Sequence, residues 1–369
     1  MKRVLILSQP LHNNYGGLLQ AFALQKVIRD LGYDAVTNAD RLVRGITIRR
    51  VLVRTIKNAV KWVLGYNVIT EGKKSVISAN TQRFVKKHIQ TESIKVLNDE
   101  VADRYDIFVV GSDQVLRKRY SDVVSYFLYA LRQREDKRRV FYAASFGTDD
   151  LSEWGEKEKE TCRSLAPKFD AVSVREDSGI DIFKNEFGVD AELVLDPTLL
   201  LEKEEYLKTI EQEDLDERDH VLMCYVLDKT PEKLEIIDWI KHRKGLELLE
   251  VMAEEKFNKH TKNISRCVYP SVSKWIAGFR DAEFVVTDSF HGTVFSIIFN
   301  KPFVCIANKA RGLSRFTSLL KIFGLENRLI FSPEDFSDNL FENIDYDKVN
   351  AIKQEWREKS VDFLKENLG

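Results

Sequence analysis

Short, unbroken apolar runs alternate along the chain with longer stretches whose apolar residues recur at helical spacing. Val4-Leu5-Ile6-Leu7, within Arg3 to Ser8, has the continuous apolar character of a strand buried on both faces of a parallel sheet. A polar, glycine-containing segment from Gln9 to Gly17 follows, and then Leu18, Leu19, Phe22, Ala23, Val27 and Leu31 trace one face of a helix that stops at Gly32. Further buried strands are predicted at Asp106–Val110, Val140–Gly147, Ala171–Ser178 and Leu193–Thr198, the first two ending in glycine-containing polar segments. The charge run from Glu211 to Asp219 reads as a linker. Beyond it the pattern restarts with a strand at Val221–Val226, a helix near Glu232–His242, a strand at Leu248–Met252 and a helix at Ser273–Phe279. An apolar strand through Phe284-Val285-Val286 then runs into a polar turn and a helix, a strand at Phe303–Ile306 follows, and a last helix carries Val349, Ile352, Trp356, Phe363 and Leu364 on one side. This alternation predicts an α/β protein with parallel sheets, and 369 residues suit two such domains facing each other across a cleft. The expected boundaries are 1–210 and 211–345, with a C-terminal helix in 346–369 that closes against either half.

Charge narrows the partners. Lys+Arg of 57 against Asp+Glu of 58 gives a net charge of −1, so no bulk attraction to nucleic acid is expected and anion binding has to come from local clusters. One such stretch, Arg41 to Thr70, has no acidic residue, and Arg50, Arg54, Lys57 and Lys61 fall on one helical stripe opposite Ile48, Leu52, Ile56, Ala59 and Val63. Two readings stand: a helix lying on an anionic membrane surface, with Trp62 near its end, or a surface helix packing its apolar side on the domain. The four cysteines, Cys162, Cys224, Cys267 and Cys305, are far apart and in no metal-ligand spacing, which suits reduced residues of a cytoplasmic protein. No signal peptide and no membrane span is expected from the apolar runs.

Candidate chemistry collects at strand ends. In an open α/β sheet the ligand crevice lies at the carboxyl ends of the strands, and four of them deliver Asp113, Ser145, Arg175 and Asp196. Each alone reads equally as a cap or an ion-pair partner; Arg175 is singled out because a guanidinium there suits a carboxylate or phosphate. In the second half, Thr287-Asp288-Ser289-Phe290-His291-Gly292 sits between a strand and a new helix, where free N–H groups favour an anion. His291 is therefore a candidate acid/base, its alternative being a structural histidine at a helix cap. Arg311 and Arg315 lie in a glycine-containing loop after the next strand and form a candidate anion clamp. The initial strand, Gly16-Gly17 segment and helix resemble a Rossmann-type half without the full dinucleotide or P-loop pattern.

Taken together, several motifs resemble the polysaccharide pyruvyl transferase family over nearly the whole chain. They are Asn14-Tyr15-Gly16-Gly17 with Leu19-Gln20-Ala21-Phe22-Ala23-Leu24-Gln25, Gly111-Ser112-Asp113-Gln114, Ala144-Ser145-Phe146-Gly147, Ser173-Val174-Arg175-Glu176, Asp196-Pro197-Thr198, and Thr287 to Gly292 with Phe299-Asn300-Lys301-Pro302-Phe303. The resemblance implies two Rossmann-like domains similar to GT-B glycosyltransferases, and transfer of a pyruvyl group from phosphoenolpyruvate to a sugar diol of a surface glycan or its lipid-linked precursor. It implies His291 and Asp113 as catalytic residues, Arg175, Arg315, Ser289 and Gly292 around the donor, and Asn14, Tyr15, Gly16, Gly17, Ser112, Gln114 and Ser145 along the acceptor side or cleft. No metal and no cofactor beyond phosphoenolpyruvate as co-substrate is implied. Two departures stand out. Ser289 occupies a position where many relatives carry arginine, and Val115-Leu116-Arg117 follows Gln114 where they often carry Trp-Asn. Competing readings are a nucleotide-sugar glycosyltransferase of the same architecture and a non-catalytic glycan-binding or assembly protein.

Overall fold

The computed structural model describes residues 1–45, 66–308 and 312–369, with Val53, Ile56, Lys57, Val60 and Leu64 from the stretch between. Arg50, Arg54 and Lys61 of the basic stripe, and Arg311, lie outside the described residues. Two parallel sheets organise the rest. The first contains β1 (Arg3–Leu7), β2 (Asp34–Asn38), β3 (Thr91–Glu92), β4 (Ile107–Asp113), β5 (Arg138–Ala144), β6 (Ala171–Val174) and β7 (Glu192–Leu193), in the order β3-β2-β1-β4-β5-β6-β7. The second contains β8 (Val221–Tyr225), β9 (Glu247–Glu250), β10 (Ala282–Thr287), β11 (Phe303–Ile306) and β12 (Leu329–Ile330), in the order β12-β11-β10-β8-β9. Both are doubly wound α/β arrangements, and strand order reverses at β1/β4 in one and at β8/β10 in the other. At those points the crevice beyond the carboxyl ends is open to a ligand.

The helices that matter for the site are α1 (Tyr15–Asp30), α2 (Asp177–Phe187), α3 (Pro231–Lys244), α4 (Val272–Asp281), α5 (Phe290–Ile298), α6 (Ser314–Phe323) and α7 (Tyr346–Leu368). Helix α1 starts at Tyr15, three residues before its apolar face does, so Gly16 and Gly17 belong to its first turn rather than to a loop. His291 likewise lies inside the first turn of α5, not on the turn before it. All nine residues of α5 are buried, which explains why its apolar positions run all round the helix.

One apolar cluster runs through both halves, joining the inner faces of the two sheets. At the junction Tyr15 stacks on Trp275 with centroids 5.7 Å apart, and Tyr206 meets Phe295 edge-on at 4.9 Å. The Tyr15 hydroxyl donates to the Pro270 carbonyl at 2.9 Å, so this buried aromatic also satisfies its polar end. Helix α7 begins beside the second half, where the Tyr346 hydroxyl donates to the Lys301 carbonyl, and ends on the first, where Ser360 Oγ accepts the Leu195 N–H at 2.9 Å. The four cysteines are buried and free. No described helix is long and apolar enough to cross a membrane.

Candidate active site

Both crevices open into a single cavity of 430 Å³ between the halves. Its wall includes Gln9, Asn14, Asp113 and Gln114 from the first half and Tyr225, Asp288, Ser289, Phe290, His291 and Arg315 from the second. Two helix N-termini meet there, since Asn14 is the residue before α1 and Ser289 the residue before α5, and neither side chain caps its helix. The Ser289 N–H instead donates to Thr287 Oγ1 at 3.1 Å, and the N–H groups of the first turn of α5 lie at the cavity wall, where an anion is favoured.

His291 is 5% exposed and its imidazole lies against α1 across the cleft. A Cβ on Gly16 would fall 2.2 Å from His291 Cγ and Nδ1, so the ring occupies space that only a glycine leaves. On the other side His291 Nε2 is 3.7 Å from Asp196 Oδ2. Asp196 Oδ2 also accepts from Arg175 at 2.5 Å, and the second guanidinium nitrogen of Arg175 donates to Asp113 Oδ1 at 2.9 Å. Burial favours the neutral form of Asp196, but His291, Arg175 and Thr198 together hold its carboxyl well below the ordinary aspartate range. Burial pushes Asp113 up in the same way, and Arg175, with His291 and Arg315 beside it, brings it below its ordinary value. Asp113 has a φ of 68°, in the left-handed region that short polar residues tolerate better than branched ones, and this places its carboxylate on the cavity wall.

Arg315 enters from the first turn of α6 and lines the cavity beside Ser289. Its guanidinium lies 5.5 Å from the centroid of the Phe290 ring, a cation–π contact that fixes the plane of the fork. Burial and the neighbouring Arg175 pull it down to about 10 against the pull of Asp113 and Glu176, so it is charged at neutral pH. Helix α6 is held against the first half by Ser318, whose hydroxyl accepts the Asp177 N–H at 2.9 Å. Asp288, also on the wall, has its charge met by Lys233 at 2.6 Å and accepts the Leu227 N–H at 2.6 Å, which ties the loop after β8 to the start of α5.

Of the residues singled out from the sequence, His291, Asp113, Arg315, Ser289, Asn14 and Gln114 line the cavity. Others have different places. Arg175 was expected to grip an anion, but it is 3% exposed behind the wall, its charge answered by Asp113 and Asp196. Gly292 was expected beside the donor; a Cβ there would meet Thr287 Oγ1 at 2.0 Å, so its role is the close packing of α5 on β10. Ser112 and Ser145 are fully buried beneath the cleft, Ser112 donating to Gln20 Oε1 at 3.0 Å. Tyr15 and Gly16 meet the second half at Trp275 and His291, and Gly17 packs against Asn14; none of the three lines the cavity. Arg328, near the expected clamp, is spent on the carbonyls of Leu340 and Glu342. Asp196 is visible in the sequence as a strand end and as part of the Asp196-Pro197-Thr198 motif; its nearness to His291 is a fact of the tertiary fold. Among the described residues no group of His, Cys, Asp and Glu is arranged to hold a metal ion.

The family model for polysaccharide pyruvyl transferase matches residues 14–310, a span that contains Asn14, Asp113, Gln114, Ser289 and His291 of the cavity wall, with Gln9 and Arg315 just outside it. The chain belongs to the polysaccharide pyruvyl transferase family. No curated protein matches it. Among solved structures it is similar to the UDP-GlcNAc 2-epimerase from Neisseria meningitidis bound to UDP-GlcNAc, with 9% identity, 100% of this chain and 99% of that chain covered, and a TM-score of 0.51. An α-glucosyltransferase in complex with UDP (11% identity, 100% and 96% covered, TM-score 0.48) and MurG from Acinetobacter baumannii (10% identity, 99% of each covered, TM-score 0.44) are more distant in shape. At such identities the likeness to the epimerase shows the fold alone, and that fold is GT-B-like: two Rossmann-like domains across a cleft. Membership of the pyruvyl transferase family indicates a transferase acting on a sugar or glycan.

Proposed function

We propose that this family member transfers the pyruvyl group of phosphoenolpyruvate to two hydroxyls of a sugar, forming a cyclic ketal and releasing phosphate. The observation that carries the reading is the meeting of an imidazole, a guanidinium and an open helix N-terminus at one cavity between the halves. Phosphoenolpyruvate presents a carboxylate and a phosphate. Arg315, the first N–H groups of α5 and the Ser289 hydroxyl grip these anions, and Arg315 takes over the charge that serine at 289 does not supply. His291 gives a proton to the methylene carbon, which becomes the methyl group and leaves an oxocarbenium-like C2. One sugar hydroxyl attacks C2, and its proton passes through Asp113 to restore the imidazolium. The C–O bond to phosphate then breaks, the second hydroxyl attacks, and its proton leaves with the phosphate. Asp113, Asn14 and Gln114 orient the acceptor from the first half. Neither a metal nor an organic cofactor takes part in this scheme.

The acceptor in this reading is a surface glycan or its lipid-linked precursor, and the protein works in the cytoplasm beside the inner membrane face. Supporting that placement, Val53, Ile56, Val60 and Leu64 are 43%, 61%, 52% and 63% exposed within the acid-free segment, and Lys57 beside them is exposed as well. Supplying phosphoenolpyruvate or nucleotide sugars with a sugar acceptor tests the reaction. Inorganic phosphate is the expected product; release of a nucleoside diphosphate instead would make the chain a glycosyltransferase.

A further inference from the structure

His291 belongs to the second half of the molecule, yet the groups that seat its imidazole belong to the first. One side of the ring fills the space beside Gly16. On the other, Nε2 is buried without a hydrogen-bond partner among the described residues and lies 3.7 Å from Asp196 Oδ2. The two oxygens of Asp196 have separate duties. Oδ1 accepts the Thr198 N–H at 3.1 Å and its hydroxyl at 2.7 Å, which fixes the plane of the carboxylate at the end of the first sheet. Oδ2 takes Arg175, and faces Ser112 Oγ at 3.4 Å and His291. Asp196 is 2% exposed and does not line the cavity, so it reaches substrate only through the imidazole.

We infer that Asp196 is the positioning residue for the His291 imidazole and that Gly16 is the other wall of its socket, so that the acid/base is complete only when the two halves meet. The inference rests on the reading of His291 as the acid/base. Nε2 needs an approach of less than about 1 Å to reach hydrogen-bond distance, an amount that a small closure of the halves over bound substrate supplies. A bond from Nε2–H to the carboxylate then fixes the tautomer and ring orientation, leaving the other nitrogen for proton transfer. Arg175 gains a purpose from this arrangement, because it keeps Asp196 ionised and in place with no group of its own on the substrate.

The test is a double-mutant cycle in the full chain, with phosphoenolpyruvate and a panel of methyl hexosides as acceptors. Asp196→Asn keeps the shape and the Oδ1 contacts. It is expected to lower kcat by a factor on the order of 10² with KM for phosphoenolpyruvate within about threefold of wild type. In a His291→Gln background the same change should cost nothing further, because the residue to be positioned is gone. Equal losses in both backgrounds, or a loss confined to KM, would overturn the inference and leave Asp196 a structural residue. If Asp196→Asn does not fold, Gly16→Ala takes its place, with the same non-additivity expected and full activity contradicting the socket. The imidazole ¹⁵N signals of His291 give a readout independent of turnover: they should move in Asp196→Asn, and unmoved signals refute the pairing. A wild-type chain that releases no phosphate would instead refute the pyruvyl-transfer reading, while those signals still decide the pairing.

Discussion

Two arginines approach the Phe290 ring from different halves of the molecule. The Arg175 guanidinium lies 4.6 Å from the ring centroid and that of Arg315 5.5 Å. Both are buried, yet Arg175 sits at the end of β6 with a carboxylate on each side, whereas Arg315 starts α6 and lines the cavity. Burial works against the charge of each. Asp196 and Asp113 more than offset this for Arg175, whereas Arg175 itself adds to it for Arg315. At a strand end a guanidinium can have its charge met by carboxylates from neighbouring strands, and at Arg175 Asp113 and Asp196 do so.

The contrast is most sharply tested by removing each arginine in turn. Arg175→Met leaves Asp113 and Asp196 buried without their counter-charge, and a stability loss of about 3–5 kcal/mol is expected in denaturant unfolding. A stable Arg175→Met protein with weakened phosphoenolpyruvate binding would reverse the assignment. Arg315→Met should raise the dissociation constant for phosphoenolpyruvate by about 10- to 100-fold, the worth of a charge-assisted hydrogen bond, as read by calorimetry. Acid should act through the carboxylates around Arg175. Asp113 and Asp196 have folded-state pKa values below their unfolded ones, so their stabilisation is complete above about pH 4 and is lost as the pH falls through the lowered values. Glu176, pushed up by burial, contributes in the opposite sense: its share is present at low pH and lost as the pH rises through its raised value. Melting temperature should thus fall with acidification below about pH 4, and less so in Asp196→Asn. The smallest effect is expected at an exposed cation. Lys57→Gln should weaken sedimentation with phosphatidylglycerol vesicles by about fivefold and leave binding to phosphatidylcholine vesicles unchanged. Unaltered sedimentation would make the stripe an ordinary solvated face.

The same contrast explains what was legible in the sequence. Strands buried on both faces announce themselves as apolar runs, and β1, β4, β5, β6, β8, β10 and β11 were read from them. The β2 segment Asp34–Asn38 mixes polar and apolar residues, and β3 and β12 are two-residue edge strands too short to carry a period. Read locally, Gly16 and Gly17 signal a loop, which puts the expected start of α1 after its actual one at Tyr15. The reason for glycine at Gly16, the imidazole of a residue 275 positions away, exists only in three dimensions. His291, Asp113 and Arg315 were legible because strand ends and helix starts point to the crevice of any α/β sheet. Which of the neighbouring charges face the cavity and which face one another depends on strand order, since Arg175, just after β6, reaches past β5 to Asp113 on β4. No local pattern encodes that.

In the proposed reaction His291 drives pyruvyl transfer from phosphoenolpyruvate at this cavity. Its most direct test is mass spectrometry of the sugar acceptor, with phosphate release followed in parallel, for the wild-type chain and His291→Gln. A pyruvate ketal on the acceptor and matching phosphate are expected with the wild type, and a loss on the order of 10²–10⁴-fold in the variant while phosphoenolpyruvate still binds. Ketal formation at the wild-type rate by His291→Gln would contradict this role of His291.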